Sequence, residues 1–393
     1  MSSDGGATVG LVLAGGGARC AYQAGVLKAV AEMLPGARNP FGVIVGQSAG
    51  AINAVSLACR AENFGRAARH LAHAWTRIGA GDIYRTDPVS VGRRGLLWVL
   101  MAASGGWLVG NPRSFLDNAP LGRLLAREVD FGAIEAAIAQ GHLSALALTA
   151  SVYARESGQA VTFFAAASDL EDWFRVRRCG VRRRIGVEHV LAASALPFLF
   201  PAQEIEGRFF GDGALRLTAP LSPAIRLGAR RLLIIAARDP EITSLGAMAP
   251  APYPSLGTLA GHMLDIIFND HLDSDIERLG RINRTLSLLT PAQLAQTSLR
   301  PIETLVLRPS RDVREIAAEH AGAIPWTVRM LLRGIGAWGG DWRLPSYLNF
   351  DGAYCRELIA LGHRDAWANA EAITRFLQGG AGAVGAEITA RRK

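Results

Sequence analysis

The chain has 393 residues, 50% hydrophobic and 19% charged, a make-up that excludes a disordered or collagen-like protein and can bury a large core. Basic residues outnumber acidic ones by 42 to 34, a net charge of +8, and Lys28 and Lys393 are the only lysines, so the surplus is arginine, whose planar fork favours phosphate-like anions. The four cysteines, Cys20, Cys59, Cys179 and Cys355, form no C-x-x-C pair, which excludes a zinc ribbon or a dense disulfide framework and suits a reducing compartment.

The N-terminus lacks the basic stretch of a signal peptide, and no uncharged apolar run reaches eighteen residues, so the expected location is cytoplasmic with no membrane-spanning helix. The pattern opens with a strand at Val9 to Leu13, broken by Gly15-Gly16-Gly17, and a helix follows with Tyr22, Val26, Val30 and Met33 at helical spacing. A second strand, Val43-Ile44-Val45, runs into Gly46-Gln47-Ser48-Ala49-Gly50 and then a small-residue helix to Cys59. This βαβα order predicts a parallel sheet in a layered α/β domain. A helix is expected over 64–78 and an irregular insertion over 85–115, the latter carrying the uncharged stretch Leu96 to Gly110.

Strands return at Ala145 to Val152 and Val161 to Ala165, with Gly158 in the turn between them. An arginine cluster at 175–184 precedes a helix over Val187 to Ala195, and Arg208-Phe209-Phe210 leads into Gly211-Asp212-Gly213. The continuous apolar run Leu232 to Ile235 reads as a buried central strand. Residues 240–257, rich in Pro and Gly, read as a linker. Beyond them the pattern predicts a long amphipathic helix near 258–283, a strand at Thr304 to Leu307, helices near 312–335, a final helix near 352–378, and a fraying tail from Gly379.

Gly46-x-Ser48-x-Gly50 between a strand and a helix is a nucleophile elbow: the glycines let the chain turn sharply, so the Ser48 hydroxyl projects at a helix N-terminus. The plain alternative is a glycine-flanked turn with Ser48 as helix cap. A seryl hydrolase also needs donors for an oxyanion, and the bare amides of Gly15, Gly16, Gly17 and Ala18 at the neighbouring strand end supply candidates. A phosphate cradle is disfavoured there, because G-x-x-x-x-G-K-[ST] is absent and Cys20 takes the last glycine position of G-x-G-x-x-G. Arg19 adds a cation suited either to a phosphate or to holding the loop by a hydrogen bond. None of the downstream histidines, His142, His189, His262, His271, His320 and His363, lies in a glycine-bracketed turn. Asp212, flanked by Gly211 and Gly213 at a strand end, is therefore the favoured base.

Gly15-Gly16-Gly17-x-Arg19, Gly46-x-Ser48-x-Gly50, Ala193-Ser194-Ala195-Leu196-Pro197 and Asp212-Gly213-Ala214, in this order, resemble the patatin-like phospholipase family over roughly residues 8–240. The resemblance implies a three-layer α/β/α fold with a central, mostly parallel sheet and a lipid acyl hydrolase of phospholipase A or lysophospholipase type. It further implies a dyad of Ser48 as nucleophile and Asp212 as general base, with Gly15 to Arg19 as oxyanion hole. Residues 241–380 are expected to form a mainly helical extension packed on this domain. Two departures stand out: Cys20 and Ala21 occupy a position where the family often has glycine, and Thr218-Ala219-Pro220 lacks the usual asparagine before proline.

The dyad requires no metal and no cofactor. Asp265, Asp270, Asp273 and Asp275 lack the calcium-loop pattern and read as a solvated helical face. The arginine clusters lack the interleaved aromatics of a nucleic-acid platform, so the expected partner is a phospholipid or other acyl ester, with peripheral contact to an anionic membrane. Competing readings are a thioesterase or carboxylesterase on soluble acyl substrates and a membrane-surface binding protein with a degenerate site. The apolar stretch Leu96 to Val109, with Trp98 and Trp107 between Arg93, Arg94 and Arg113, suits a bilayer interface, against the plainer reading of a buried helix capping the core, which is the usual place for a mixed apolar run of this length.

Overall fold

Strand β1 (Val9–Leu13) is apolar at every position and buried on both sides, and so are β2 (Val43–Gln47) up to its glycine and β9 (Arg231–Ile235) after its arginine. Such runs form the centre of a sheet covered on both faces. The structure, a computed structural model, describes residues 8–36, 38–110, 112–154, 158–167, 170–238, 253–379 and 386–388. Its remaining strands are β3 (Ala145–Tyr153), β4 (Ala160–Ala166), β5 (Trp173–Arg175), β6 (Arg178–Arg182), β7 (Gln203–Ile205), β8 (Arg208–Asp212), β10 (Glu303–Leu307) and β11 (Ala386–Ile388). They make one sheet in the order β11-β10-β9-β1-β2-β3-β4-β6-β5, with β8 paired to β3 and β7 to β8. From β11 through β3 all neighbours are parallel, whereas β4 and β8 run antiparallel to β3.

Alternate residues of each central strand feed two separate cores. Leu11, Ile44, Leu146 and Leu233 face α1 (Ala21–Met33), α2 (Ala49–Ala58), α3 (Phe64–Arg77) and the helix Gly352–Ala368, while Val12, Val45, Ala147 and Ile234 face Ala224 and the helix His271–Leu286. The result is the expected three-layer α/β/α sandwich. The region after residue 240 is mainly helical, yet its strand β10 pairs with β9 from Glu303↔Arg231 to Leu307↔Ile235 and extends the same sheet.

Several expectations need correction. The insertion read as irregular over 85–115 contains a regular helix, Pro88–Ser104, started by the Asp87 side chain accepting from the Ser90 amide at 2.8 Å and ended by left-handed Gly105. The amphipathic stretch 258–283 is not one α-helix: Leu256–Asp265 and His271–Leu286 are joined by a π-turn at Ile266–Asp270, whose extra residue per turn rotates the face without interrupting the helical look of the sequence. The arginine cluster lies on the hairpin β5–β6. Of the tail expected to fray, Ala386–Ile388 pairs with β10, and its other residues from 380 onward lie outside the described residues. The linker reading, 240–257, falls outside them up to 252, and a helix starts at Leu256.

Candidate active site

β2 ends at Gln47 and α2 begins at Ala49, which leaves Ser48 as the whole turn, at φ 49° and ψ −129°. A non-glycine residue there carries strain of about 1–3 kcal/mol, held by the crossing of two chains: a Cβ on Gly50 would lie 2.3 Å from the Leu13 carbonyl oxygen. Only glycine allows that approach, so β1 and β2, paired at Leu13↔Gly46, deliver the glycine loop and the elbow to one point. Ser48 itself is 2% exposed.

The loop lies directly against the serine, since a Cβ on Gly15 would sit 2.9 Å from Ser48 Cβ and 2.6 Å from the ring of Phe268. Gly17 and Ala18 open a 3-10 turn, Gly17–Cys20, and the first amides of such a turn have no acceptor within it. Arg19 differs: its amide donates to Gly16 O at 3.1 Å, so, of the five residues Gly15 to Arg19, that amide is not free to meet an oxyanion. Behind the loop, Gln23 Nε2 donates to Ala14 O at 2.8 Å and Ile235 O at 3.1 Å, Asn53 Nδ2 to Gln23 Oε1 at 2.8 Å, and Trp75 Nε1 to Asn53 Oδ1 at 2.8 Å. Sequence reading missed this buried network; its only trace was a pair of amides on otherwise apolar helix faces.

Asp212 arrives by strand pairing. β2 pairs with β3 as far as Gln47↔Thr149, and β8 takes over the same edge of β3 at Ala150↔Asp212, so the aspartate follows the end of β2 where Ser48 turns away. A Cβ on Gly213 would lie 2.0 Å from Thr149 O, which fixes how closely this loop sits on β3. The Asp212 amide donates to Ala195 O at 2.9 Å, within the Ala193-Ser194-Ala195-Leu196-Pro197 motif, and Oδ1 accepts from the Ala214 amide at 2.9 Å. Oδ2 is buried and has no hydrogen-bond partner among the described residues. Burial pushes the carboxyl up to about 7, against the pull of the Ser48 hydroxyl and the Ala214 amide toward the ionised form. The Ser48 hydroxyl thus lies near enough to stabilise the charge, without completing an aligned bond to Oδ2. On β8, Phe210 is buried on the same side as Asp212, whereas Phe209 is 52% exposed on the outer side and Leu215 beyond the strand is half-buried.

The family model for patatin-like phospholipases matches residues 11–225, more than half of the chain and all four motifs. The chain belongs to the patatin-like phospholipase family. Among curated proteins none matches it. Its fold is similar to that of human GIVD cytosolic phospholipase A2, with TM-score 0.42 and 12% identity over 96% of this chain and 64% of that one.

Two features of this patatin-like chain bear on the chemistry. No histidine hydrogen-bonds to Ser48 or Asp212 among the described residues; His189, the one nearest in sequence to the Ala193–Pro197 motif, uses Nδ1 to accept from the Gly186 amide at 3.0 Å. The acidic residues of 265–275 do not share one solvated face: Asp273 pairs with Arg308, Asp275 accepts from the Leu221 amide at 3.0 Å, and Asp265 is buried against Arg19 at 3.2 Å. The Arg19 guanidinium is therefore fully buried and paired within the protein.

Proposed function

We propose that this patatin-like protein is a serine acyl hydrolase of phospholipase A or lysophospholipase type, in which Ser48 is the nucleophile and Asp212 the general base. The observation that carries this reading is the buried Asp212 carboxyl, raised to about 7 with Oδ2 unpartnered, beside a strained serine on a glycine-bracketed turn. A free aspartate near pKa ~3.9 is too weak a base for a hydroxyl, and a base near the operating pH is the efficient one. Oδ2 takes the Ser48 proton as Oγ attacks the ester carbonyl, and the amides of the Gly15–Ala18 loop hold the resulting oxyanion. Collapse breaks the bond to the alcohol, which leaves with the proton from Asp212. Water, deprotonated by Asp212 in turn, then cleaves the acyl-enzyme and restores Ser48. Residues 8–240 form the catalytic unit in this reading and 241–380 an extension packed on it. Incubation with a panel of phospholipids, lysophospholipids, acyl thioesters and soluble short-chain esters, with products followed by mass, should show fatty-acid release from phospholipid or lysophospholipid. Turnover of the soluble esters or thioesters alone would replace the lipid assignment.

The same reading places the enzyme at an anionic lipid surface. Helix Pro88–Ser104 buries none of its residues, and Leu96, Val99, Trp107 and Leu108 are exposed, with Trp107 at 95%. Thr327 on the helix Trp326–Gly334 hydrogen-bonds to Thr86 O at 2.9 Å, which sets the exposed Trp326 and Met330 beside this helix. A second stripe, Leu256, Leu259, Met263 and Ile266, recurs at helical spacing and faces outward. Exposed Arg93 and Arg113 flank the first patch. Apolar helix faces with tryptophan and arginine at their margins suit a bilayer surface and scattered core contacts do not. Trp98, by contrast, stacks on Phe115 at 4.7 Å and serves packing. The Trp107→Ser, Leu108→Ser double variant should therefore bind phosphatidylglycerol-containing vesicles at least about tenfold more weakly and keep its rate on a soluble short-chain ester. Wild-type binding should fall as salt rises; unchanged vesicle binding in the variant would remove this surface from the reading.

A further inference from the structure

The glycine loop does not stand on the catalytic segment alone. Arg19, fully buried next to the loop amides, reaches residues far along the chain: Nη1 lies 3.2 Å from Asp265 Oδ1, Nε 2.9 Å and Nη2 2.7 Å from Ser346 Oγ. Its guanidinium carbon is 3.7 Å from the centre of the Tyr347 ring. Gly17, at φ 56°, rests on the backbone of the same segment, where a Cβ would meet Tyr347 O at 2.3 Å. Asp265 ties these parts together. Oδ1 also accepts from the Tyr347 hydroxyl at 2.7 Å, and Oδ2 from Arg343 Nε at 2.8 Å. Asp265 ends its helix where the π-turn begins, and that turn sets Phe268 on Gly15; π-turns of this kind recur at functional sites.

Burial by itself would raise the Asp265 carboxyl, but Arg19, helped by Arg238, the Tyr347 hydroxyl and Arg343, outweighs it and holds the group below the usual carboxylate range. The pair is therefore ionic in a water-excluded place, where removing one partner leaves the other charge uncompensated. Oxyanion donors act only within about 2.7–3.1 Å of the developing charge, and a displacement of about 1 Å can cost roughly a hundredfold in rate. We propose that Asp265 is a positioning residue of the active site: through Arg19 it fixes the Gly15–Ala18 amides against Ser48, so the segment after residue 240 is part of the catalytic machinery. This inference rests on the reading of that loop as the oxyanion hole.

The test is Asp265→Asn in the full chain, assayed on a soluble p-nitrophenyl ester well below its thermal midpoint and normalised to active sites titrated with a fluorophosphonate. The expected result is a fall in kcat of about a hundredfold with KM changed little, and a fluorophosphonate labelling rate that drops in parallel because it needs the same amides. The pH midpoint of the residual activity should stay where the wild type has it, since Asp212 is untouched, and Asp265→Glu should recover part of the rate. Should Asp265→Asn not fold, Ser346→Ala, which deletes two hydrogen bonds to Arg19 and no charge, decides the matter: a kcat loss of roughly tenfold at unchanged KM supports the proposal. Wild-type kcat per titrated site in a folded variant, or a rise in KM alone, overturns it. Because Ser48→Ala is measured alongside, an inactive serine variant with a fully active Asp265→Asn sinks only the positioning role, whereas an active serine variant sinks the hydrolase reading beneath it.

Discussion

Ser48→Ala should lower ester hydrolysis by a factor of about 10⁴–10⁶ and leave the thermal midpoint almost unchanged. The alanine keeps the Cβ that packs against Gly15 and inherits the same φ of 49°, so the strain of the elbow is the same in both proteins and drops out of the comparison. What disappears is the one atom that can form an acyl-enzyme. Fluorophosphonate should add covalently to the wild type at Ser48 and not to the variant, as read by intact mass. Turnover near the wild-type rate in a folded Ser48→Ala protein would end the assignment of the nucleophile.

The second large effect joins activity to stability. Asp212 titrates near 7 in the native protein and near 3.8 as an ordinary carboxyl, so between those pH values the native state holds a proton that the unfolded chain has released. The native-state advantage of the protonated carboxyl is complete below pH 3.8 and is lost as pH rises through about 7. Holding the proton over that range corresponds to about 4 kcal/mol. Asp212→Asn removes this penalty: the amide oxygen can still accept from Ala214, and the amide nitrogen turns a donor toward Ser48. The variant should match the wild type in unfolding free energy near pH 4 and exceed it progressively toward pH 8, by up to about 4 kcal/mol, as followed by denaturant titration. Its activity should fall nearly as far as that of Ser48→Ala, because residues of one catalytic unit are not additive. In the wild type, kcat/KM should rise with pH to a plateau above about 7. A stable Asn variant with a wild-type pH profile would exclude Asp212 as base; an equally damaging His189→Ala or His271→Ala would require a triad.

These effects have a common origin in burial. In the proposed mechanism the Asp212 carboxyl is a useful base because it is out of water, and the same burial makes its ionised form costly to the fold. The buried Arg19–Asp265 pair solves the opposite problem, since two opposite charges in contact each keep the other ionised. Cys20, in the same layer, donates from Sγ to Ala14 O at 3.5 Å, and burial pushes its thiol up, so it packs as a neutral group where the family often has glycine. The other departure, Thr218-Ala219-Pro220, is bridged by Gln47 Nε2 donating to Pro220 O at 3.3 Å, which ties the strand leading to Ser48 to the segment following Asp212.

Local chemistry was readable from the residues themselves. The β-run, glycine break and helical spacing of 9–33 and 43–59, and the tight turn at Ser48, depend on backbone preferences that act within a few positions, and each of these strands, turns and helices formed where its pattern placed it. The helix Pro88–Ser104 was legible by the same logic, through Asp87 as cap, Pro88 at the first turn and Gly105 beyond the end, but its apolar run without a polar face obscured the boundaries. The outward turn of Phe209 likewise follows from the two-residue period of a strand once β8 is known to be one. By contrast, nothing local says that β8 would take over the edge of β3 where β2 stops, or that β10 would extend the sheet beside β9, because those choices are made by pairing between segments tens to hundreds of residues apart. The π-turn that aims Asp265 and Phe268 at the glycine loop leaves no mark in hydrophobic periodicity. Sequence thus determined the strand–turn–helix that presents Ser48 and the glycine-bracketed place of Asp212; tertiary structure alone decided the water-free setting that raises Asp212 and the counter-charge that Arg19 finds 246 positions away, since burial and ion pairing are properties of what packs around a group.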